Sequence, residues 1–313
     1  MEKKMKKTNA LKKDDYIKHV ASQLVQEMEK AGTNWIKPFI SQGMPRRLNA
    51  LNTKNQYYRG GNIFWLSLVK KTKKFNSNVW GTAKQIKSMG GEILEDQHAT
   101  QVYFWQPYTF ETTAKRNSTN YKKGDKKIGS SVFIKFFWVY NLDQTTLKGK
   151  FQETAEGAVS LEAVEAYVNN TGANIQDGYD SCFYSPIKDL IGMVDKKDFN
   201  STGASSATEN YYSTLLHELT HWTAHKDRCD RDLTGRFGDA SYAFEELIAE
   251  MGAAIQCCLL GVSSKPKKES AQYLNGWIKK IKDDPNAIFK AMSLADKAVR
   301  YLENLQEAKQ KAA

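Results

Sequence analysis

Residues 215–221 read Leu215-Leu216-His217-Glu218-Leu219-Thr220-His221, and the reading of the whole chain works outward from this run. It carries the spacing His-Glu-x-x-His inside an apolar segment. On an α-helix, residues four apart share a face, so His217 and His221 can offer both imidazoles to one cation. Glu218 follows the first of them directly. Zinc (Zn2+) held in this way lowers the pKa of water to about 7, and an adjacent carboxylate can take the proton during attack on a carbonyl. The run therefore implies a helix, a metal site with His217 and His221 as ligands, and Glu218 as the catalytic base of a metallopeptidase-type hydrolysis.

A catalytic zinc site needs a third protein ligand. His225 lies eight residues after His217, about 12 Å along a helix axis, and an unbroken helix cannot bring all three histidines to one ion. It reads instead as a cation at the helix C-terminus or a group behind the ligands. The better source is Tyr242-Ala243-Phe244-Glu245-Glu246-Leu247-Ile248-Ala249-Glu250. Glu246 and Glu250 share a helix face, the gluzincin spacing of a ligand Glu followed four residues on by an acid that orients a ligand His. Glu246 is the preferred third ligand and Glu250 its orienting partner, with Glu245, about 100° round the helix, as the alternative ligand. Tyr242 is either an oxyanion donor or a packing residue before the helix. Residues 188–194 could form an edge strand that pairs with an extended substrate.

The chain of 313 residues has room for two ordinary domains. Its charge is unevenly spread: residues 1–150 hold 28 Lys/Arg against 11 Asp/Glu, and residues 151–313 hold 18 against 24. A basic first half is the electrostatic footprint of a polyanion binder. Cys182, Cys229, Cys257 and Cys258 show no Cys-x-x-Cys spacing, so neither a zinc ribbon nor a disulfide framework is expected. Cys257 and Cys258 read as core. These thiols point to the reducing cytoplasm. No apolar run reaches the ~18 residues of a membrane span, and the Lys-rich N-terminus lacks the apolar region of a secretory signal.

Apolar periodicity predicts helices over 16–31, 62–70, 82–89, 159–170, 210–225, 242–260, 267–284 and 286–310. Aromatic and β-branched runs predict strands over 101–110 and 132–140, with shorter ones at 180–184 and 188–194. The polar, basic stretch between the two long strands reads as a mobile loop.

With these segments in place, the sequence resembles the ArdC-type antirestriction family. The resemblance is carried by HELTHWTAHKDRCDR, YAFEELIAEMGAA and CFYSPIKD, and by NTKNQYYRGGNIFWLSL, VWGTAKQIKSMGGEI and VYNLDQT in the first half. It departs from the family in two places. EILEDQHATQ, with three acids, stands where a Gly-Lys-rich stretch is usual, and Thr223-Ala224-His225 replaces Thr-Gly-His. The resemblance implies an α+β chain of two domains: a basic α+β domain that binds single-stranded DNA, then a zincin-like metallopeptidase domain with a helical C-terminal tail. On this reading residues 1–14 are a basic disordered arm, 15–145 the DNA-binding domain, 146–157 a linker and 158–313 the zincin-like domain. The resemblance also implies protection of incoming mobile DNA from host restriction, with an unknown protein substrate and no membrane partner.

Single-strand binders combine a positive groove with aromatic platforms for stacking. Trp65, Trp105 and Trp138 sit within apolar runs and read as core. Tyr57, Tyr58, Arg59 and Lys84 are flanked by polar or Gly residues and are the candidate DNA contacts. Two functions follow: a zinc peptidase carried on DNA, or a protein that protects by coating DNA and has a structural or vestigial metal site. No polymerase-type acidic triad supports a primase.

Overall fold

The computed structural model describes residues 12–36, 43–48, 57–113, 126–150, 161–202, 205–235, 239–263 and 270–312. The architecture is α+β in two domains.

The first half opens with α1 (Lys13–Ala31), whose buried stripe includes Ile17, Val20, Leu24, Val25 and Met28. Gly32 ends it with φ +57°, a left-handed conformation that suits glycine, and a 3-10 turn then buries Trp35 and Ile36. After β1 (Arg46–Arg47) comes α2 (Gly61–Lys73), buried along most of its length. β2 (Val79–Gly81) leads into α3 (Ala83–Ser88), started by a capping box between Thr82 and Gln85. Strands β3 (Thr100–Thr113) and β4 (Lys126–Asn141) pair antiparallel from Thr100↔Val139 to Thr113↔Lys126. The sheet order is β1-β2-β4-β3.

The second half opens with α4 (Leu161–Asn170). A small sheet follows from β5 (Asn174–Asp177), β6 (Phe183–Ser185) and β7 (Leu190–Met193), in the order β5-β7-β6. Two long helices, α5 (Ala207–Trp222) and α6 (Ala240–Leu259), then pack on one another, and α7 (Ser270–Asp283) and α8 (Asn286–Ala312) form the tail.

The core ignores the boundary between the halves. One cluster joins Leu24 and Met28 of α1 and Phe64 of α2 to Met251 of α6, Trp277 of α7 and Met292 of α8. A second holds Val164, Ile191, Leu215, Leu219, Cys257 and Leu302, so α5 rests on the small sheet and the tail at once.

Several sequence expectations shift here. β4 begins at Lys126, so residues 126–131 are strand rather than loop, paired along their length with β3; residues 114–125 lie outside the described residues. β7 is the middle strand of its sheet, flanked by both partners, so the edges are β5 and β6 rather than residues 188–194, and it is β6 that borders the cavity lined by His217 and His221. Trp65 is buried as expected, Trp138 is half-buried, and the Trp105 side chain lies outside the described residues. Of the arm and the linker, residues 1–11 and 151–157 also lie outside them. Residues 13 and 14 already belong to α1, and 146–150 form turns.

Candidate metal centre

Helix α5 is started by a reciprocal capping box: Ser206 Oγ accepts from the Glu209 amide at 3.2 Å, and Glu209 Oε2 accepts from the Ser206 amide at 2.8 Å. Its helical phase brings His217 and His221 together, with their Nε2 atoms 3.2 Å apart. α6 crosses close by because Gly252 faces Thr220; a Cβ there would lie 2.5 Å from Thr220 Cγ2. Gln256, one turn on, donates to the Leu216 carbonyl at 3.1 Å and to Thr220 Oγ1 at 2.9 Å. This crossing sets Glu246 against the histidines, at 3.5 Å from His217 Nε2 and 3.3 Å from His221 Nε2.

These three groups fit a metal. A tetrahedral ion with 2.0–2.1 Å bonds needs ligand atoms about 3.3–3.4 Å apart; the two Nε2 atoms lie 3.2 Å apart, and Glu246 turns Oε2 to His217 and Oε1 to His221. Among the described residues His217, His221 and Glu246 form the cluster with ligand atoms mutually within reach.

Glu245 has a different place. Its Oε1 accepts from His221 Nδ1 at 3.2 Å, and Arg231 grips the same carboxylate from Nη2 at 2.7 Å and from Nε at 3.0 Å. Arg231 also donates to the Thr220 carbonyl at 2.7 Å and to Thr223 Oγ1 at 2.8 Å. The carboxylate that bonds His221 Nδ1 is Glu245; Glu250, the acid expected to orient a ligand histidine, is buried one turn beyond Glu246. Arg231 was missed in the sequence. It reaches the site because residues 225–231 turn back, with the Arg231 amide donating to the Ala224 carbonyl at 2.9 Å. His225 stands apart from the cluster: in the turn after α5, its Nδ1 accepts from the Asp227 amide at 3.3 Å.

Electrostatics follow the geometry. Burial disfavours charge on His221, yet Glu245 and Glu246 outweigh it and hold its pKa up to about 10. Burial likewise opposes ionisation of Glu246, but hydrogen bonds from His217 and His221 keep it well below the usual carboxylate range. The protein groups by themselves thus favour a positive charge at this point.

His217, Glu218, His221 and Glu246 line a cavity of about 740 Å³, with Tyr242, Phe183 and Tyr184 among its walls. Burial, then the Glu246 charge, raises the Tyr242 pKa, and its hydroxyl bonds to Glu246. Edge strand β6 is held beside the cavity by a short chain of contacts. Tyr184 donates to Asp189 at 2.9 Å, Arg228 donates to both, and the Arg228 guanidinium lies 3.9 Å from the Trp222 ring centre.

The candidate DNA contacts fare differently. Tyr57 and Tyr58 are 9% and 3% exposed, so they are core residues rather than open platforms. Arg59 is half-buried and pairs with Glu303 of α8 at 2.9 Å. Lys84 is exposed on α3.

Comparison with known proteins agrees with this picture. Residues 14–140 match the N-terminal domain of anti-restriction factor ArdC, and residues 162–294 match a zincin-like metallopeptidase family. The metal-free crystal structure of antirestriction ArdC from plasmid R388 superposes with a TM-score of 0.73 at 32% identity, covering 94% of this chain and 98% of that one. Its Mn(II)-bound form gives 0.71, covering 93% and 98%. DNA primase TraC of Escherichia coli is 32% identical over 296 residues, which are 91% of this chain but 27% of that protein; the chain thus spans about a quarter of the primase. The y4eC protein of Sinorhizobium fredii is 26% identical over 301 residues, 95% of this chain and 94% of its own length. With both halves matched in order, and nearly the whole R388 protein covered at 32% identity, this chain belongs to the ArdC antirestriction family.

Proposed function

We propose that this chain is an antirestriction protein of a mobile genetic element, acting in the cytoplasm, that binds single-stranded DNA through its basic first half and hydrolyses a peptide bond at a zinc site in its second. The observation that carries the peptidase reading is the convergence of His217, His221 and Glu246 on one point, beside a cavity that Glu218 also lines. Zinc bound there would polarise the substrate carbonyl and activate water. Glu218 would take the proton from that water and pass it to the leaving amine. Glu245, clamped by Arg231, would hold the His221 ring in the tautomer whose Nε2 is free to ligate. An extended peptide would add to the free side of β6, as edge strands accept peptides in other proteins.

A closed structural zinc site needs a fourth protein ligand. The cluster offers three among the described residues and opens on the cavity, which favours chemistry over a purely structural ion. The charge of residues 1–150 supports the DNA reading.

The test is Glu218→Gln. It should keep about one zinc per chain by elemental mass spectrometry and lose cleavage of a substrate captured from restriction-proficient cells. Mn(II) is tried in parallel, because the R388 neighbour is known with it. Cleavage undiminished in Glu218→Gln would refute the mechanism. Full protection from restriction by Glu218→Ala would favour DNA coating alone.

A further inference from the structure

We propose that the cleft between β1 and α8 is a phosphate subsite, and that it holds a backbone phosphate of single-stranded DNA between Arg47 of the first half and Arg300 of the second. This rests on the DNA-binding reading above and gives it a location.

The cleft, about 740 Å³, is lined by Arg47, Tyr57, Arg59 and Arg300, with Glu303 and Glu307 on the α8 side. Three guanidinium groups meet there, and they are not equally satisfied. Arg59 pairs with Glu303 at 2.9 Å and lies 3.8 Å from Asp296; Arg300 Nε reaches Asp296 at 3.0 Å. Arg47 faces aromatic rings instead, its guanidinium carbon 5.4 Å from the Tyr58 ring centre and 5.0 Å from that of Phe104. Its Nε is buried with no hydrogen-bond partner among the described residues; Arg59 Nη1 likewise lacks a hydrogen bond but keeps its ion pair to Glu303. Burial above all depresses the Arg47 pKa; Tyr58 opposes this, and Arg59 and Arg300 add to it. A half-buried guanidinium with a buried, unbonded Nε and two like charges beside it is short of an anion. A phosphate supplies it, because its oxygens match the planar fork of arginine.

The same geometry gives the buried tyrosines a use. Arg46 lies 5.4 Å from the Tyr57 ring centre and donates to its hydroxyl at 3.4 Å. Tyr57 and Tyr58 thus present arginines rather than stack on bases. Glu303 is engaged by Arg59, and Glu307 is exposed at the rim, so neither fills the place beside Arg47.

The experiment uses the full chain. A fluorescent oligothymidylate is titrated at several salt concentrations against wild type, Arg47→Gln, Arg300→Gln and Arg47→Lys, and unfolding midpoints verify that each variant folds. Each Gln variant should weaken binding severalfold and flatten the log affinity against log salt slope by about 0.7, the value for one lost phosphate on a single strand. Arg47→Lys should restore the slope but only part of the affinity, since it keeps the charge and loses the fork. Wild-type binding with unchanged affinity and slope in both Gln variants would overturn the subsite while leaving DNA binding intact. No salt-sensitive binding by wild type would overturn the DNA reading and this subsite with it. Inorganic phosphate and a mononucleotide form a separate arm: an Arg47-dependent rise in melting midpoint with either, beside unchanged oligonucleotide binding, would mark a free-phosphate site and overturn the DNA assignment.

Discussion

Glu245 and Glu246 are adjacent in the chain and face different things. Glu246 points at both histidine Nε2 atoms, while Glu245 is held by His221 Nδ1 and Arg231. Glu246→Ala should therefore abolish stoichiometric zinc. Glu245→Gln should keep one zinc per chain at saturation but with affinity lowered about 10–100-fold, as when the partner of a metal-binding histidine is altered. Competition against a chelator of known affinity separates the two; equal zinc loss in both would contradict this division. Arg231→Met leaves Glu245 buried against one partner fewer, and an uncompensated buried charge costs about 3–5 kcal/mol. Urea unfolding measures it. The HExxH residues were legible because helical phase alone dictates where they point. Glu245 against Glu246 was not, because a rotation of about 100° on one helix means nothing until its neighbour's position is known. The tyrosines at 57 and 58 show the opposite failure: Gly and polar neighbours suggested a surface, but packing of the half against β1 and α2 buries them.

At the scale of elements, the site depends on how closely α5 and α6 approach. Alanine in place of glycine in a helix ordinarily gains about 1 kcal/mol. Gly252→Ala should instead destabilise, by about 1–3 kcal/mol of overpacking, since its Cβ would meet Thr220 at 2.5 Å. It should also weaken zinc binding by pushing Glu246 from His217. A denaturation midpoint equal to or above wild type would show that the helices can part freely. The β6 edge makes a second case. Arg228→Ala removes the group that ties Tyr184 and Asp189 to the end of α5, so KM for a peptide should rise more than kcat falls. Hydrogen bonding from Arg228, above all, lowers the Asp189 pKa. A carboxylate depressed in the folded state contributes stability above its unfolded pKa of about 3.9 and loses it as pH falls through the folded value. Arg228→Ala should therefore lose stability relative to wild type at pH 6, with the gap narrowing toward pH 3. The edge role was expected for residues 188–194 and belongs to β6, because strand order within a sheet is a long-range property that local alternation does not encode.

Across the whole molecule, α1 and α2 share a core with α6, α7 and α8. Unfolding should then be one transition rather than two. Met28→Ala, in α1 and far along the chain from the metal ligands, should cost about 2–5 kcal/mol and lower the midpoint at which zinc is released. Zinc at a hundredfold excess over its Kd should raise the stability of both halves together, by about 2.7 kcal/mol. Two separate calorimetric peaks, with only the later one moved by zinc, would contradict the shared core. The pairing of His217 with His221 on one helix face, the α+β class and the charge division were readable in the sequence, since each depends on residue type, helical spacing or composition. Arg231 behind Glu245, the arginine-lined cleft between β1 and α8, and the edge position of β6 were decided only in three dimensions, because each joins residues that the chain keeps apart and that packing alone brings into contact.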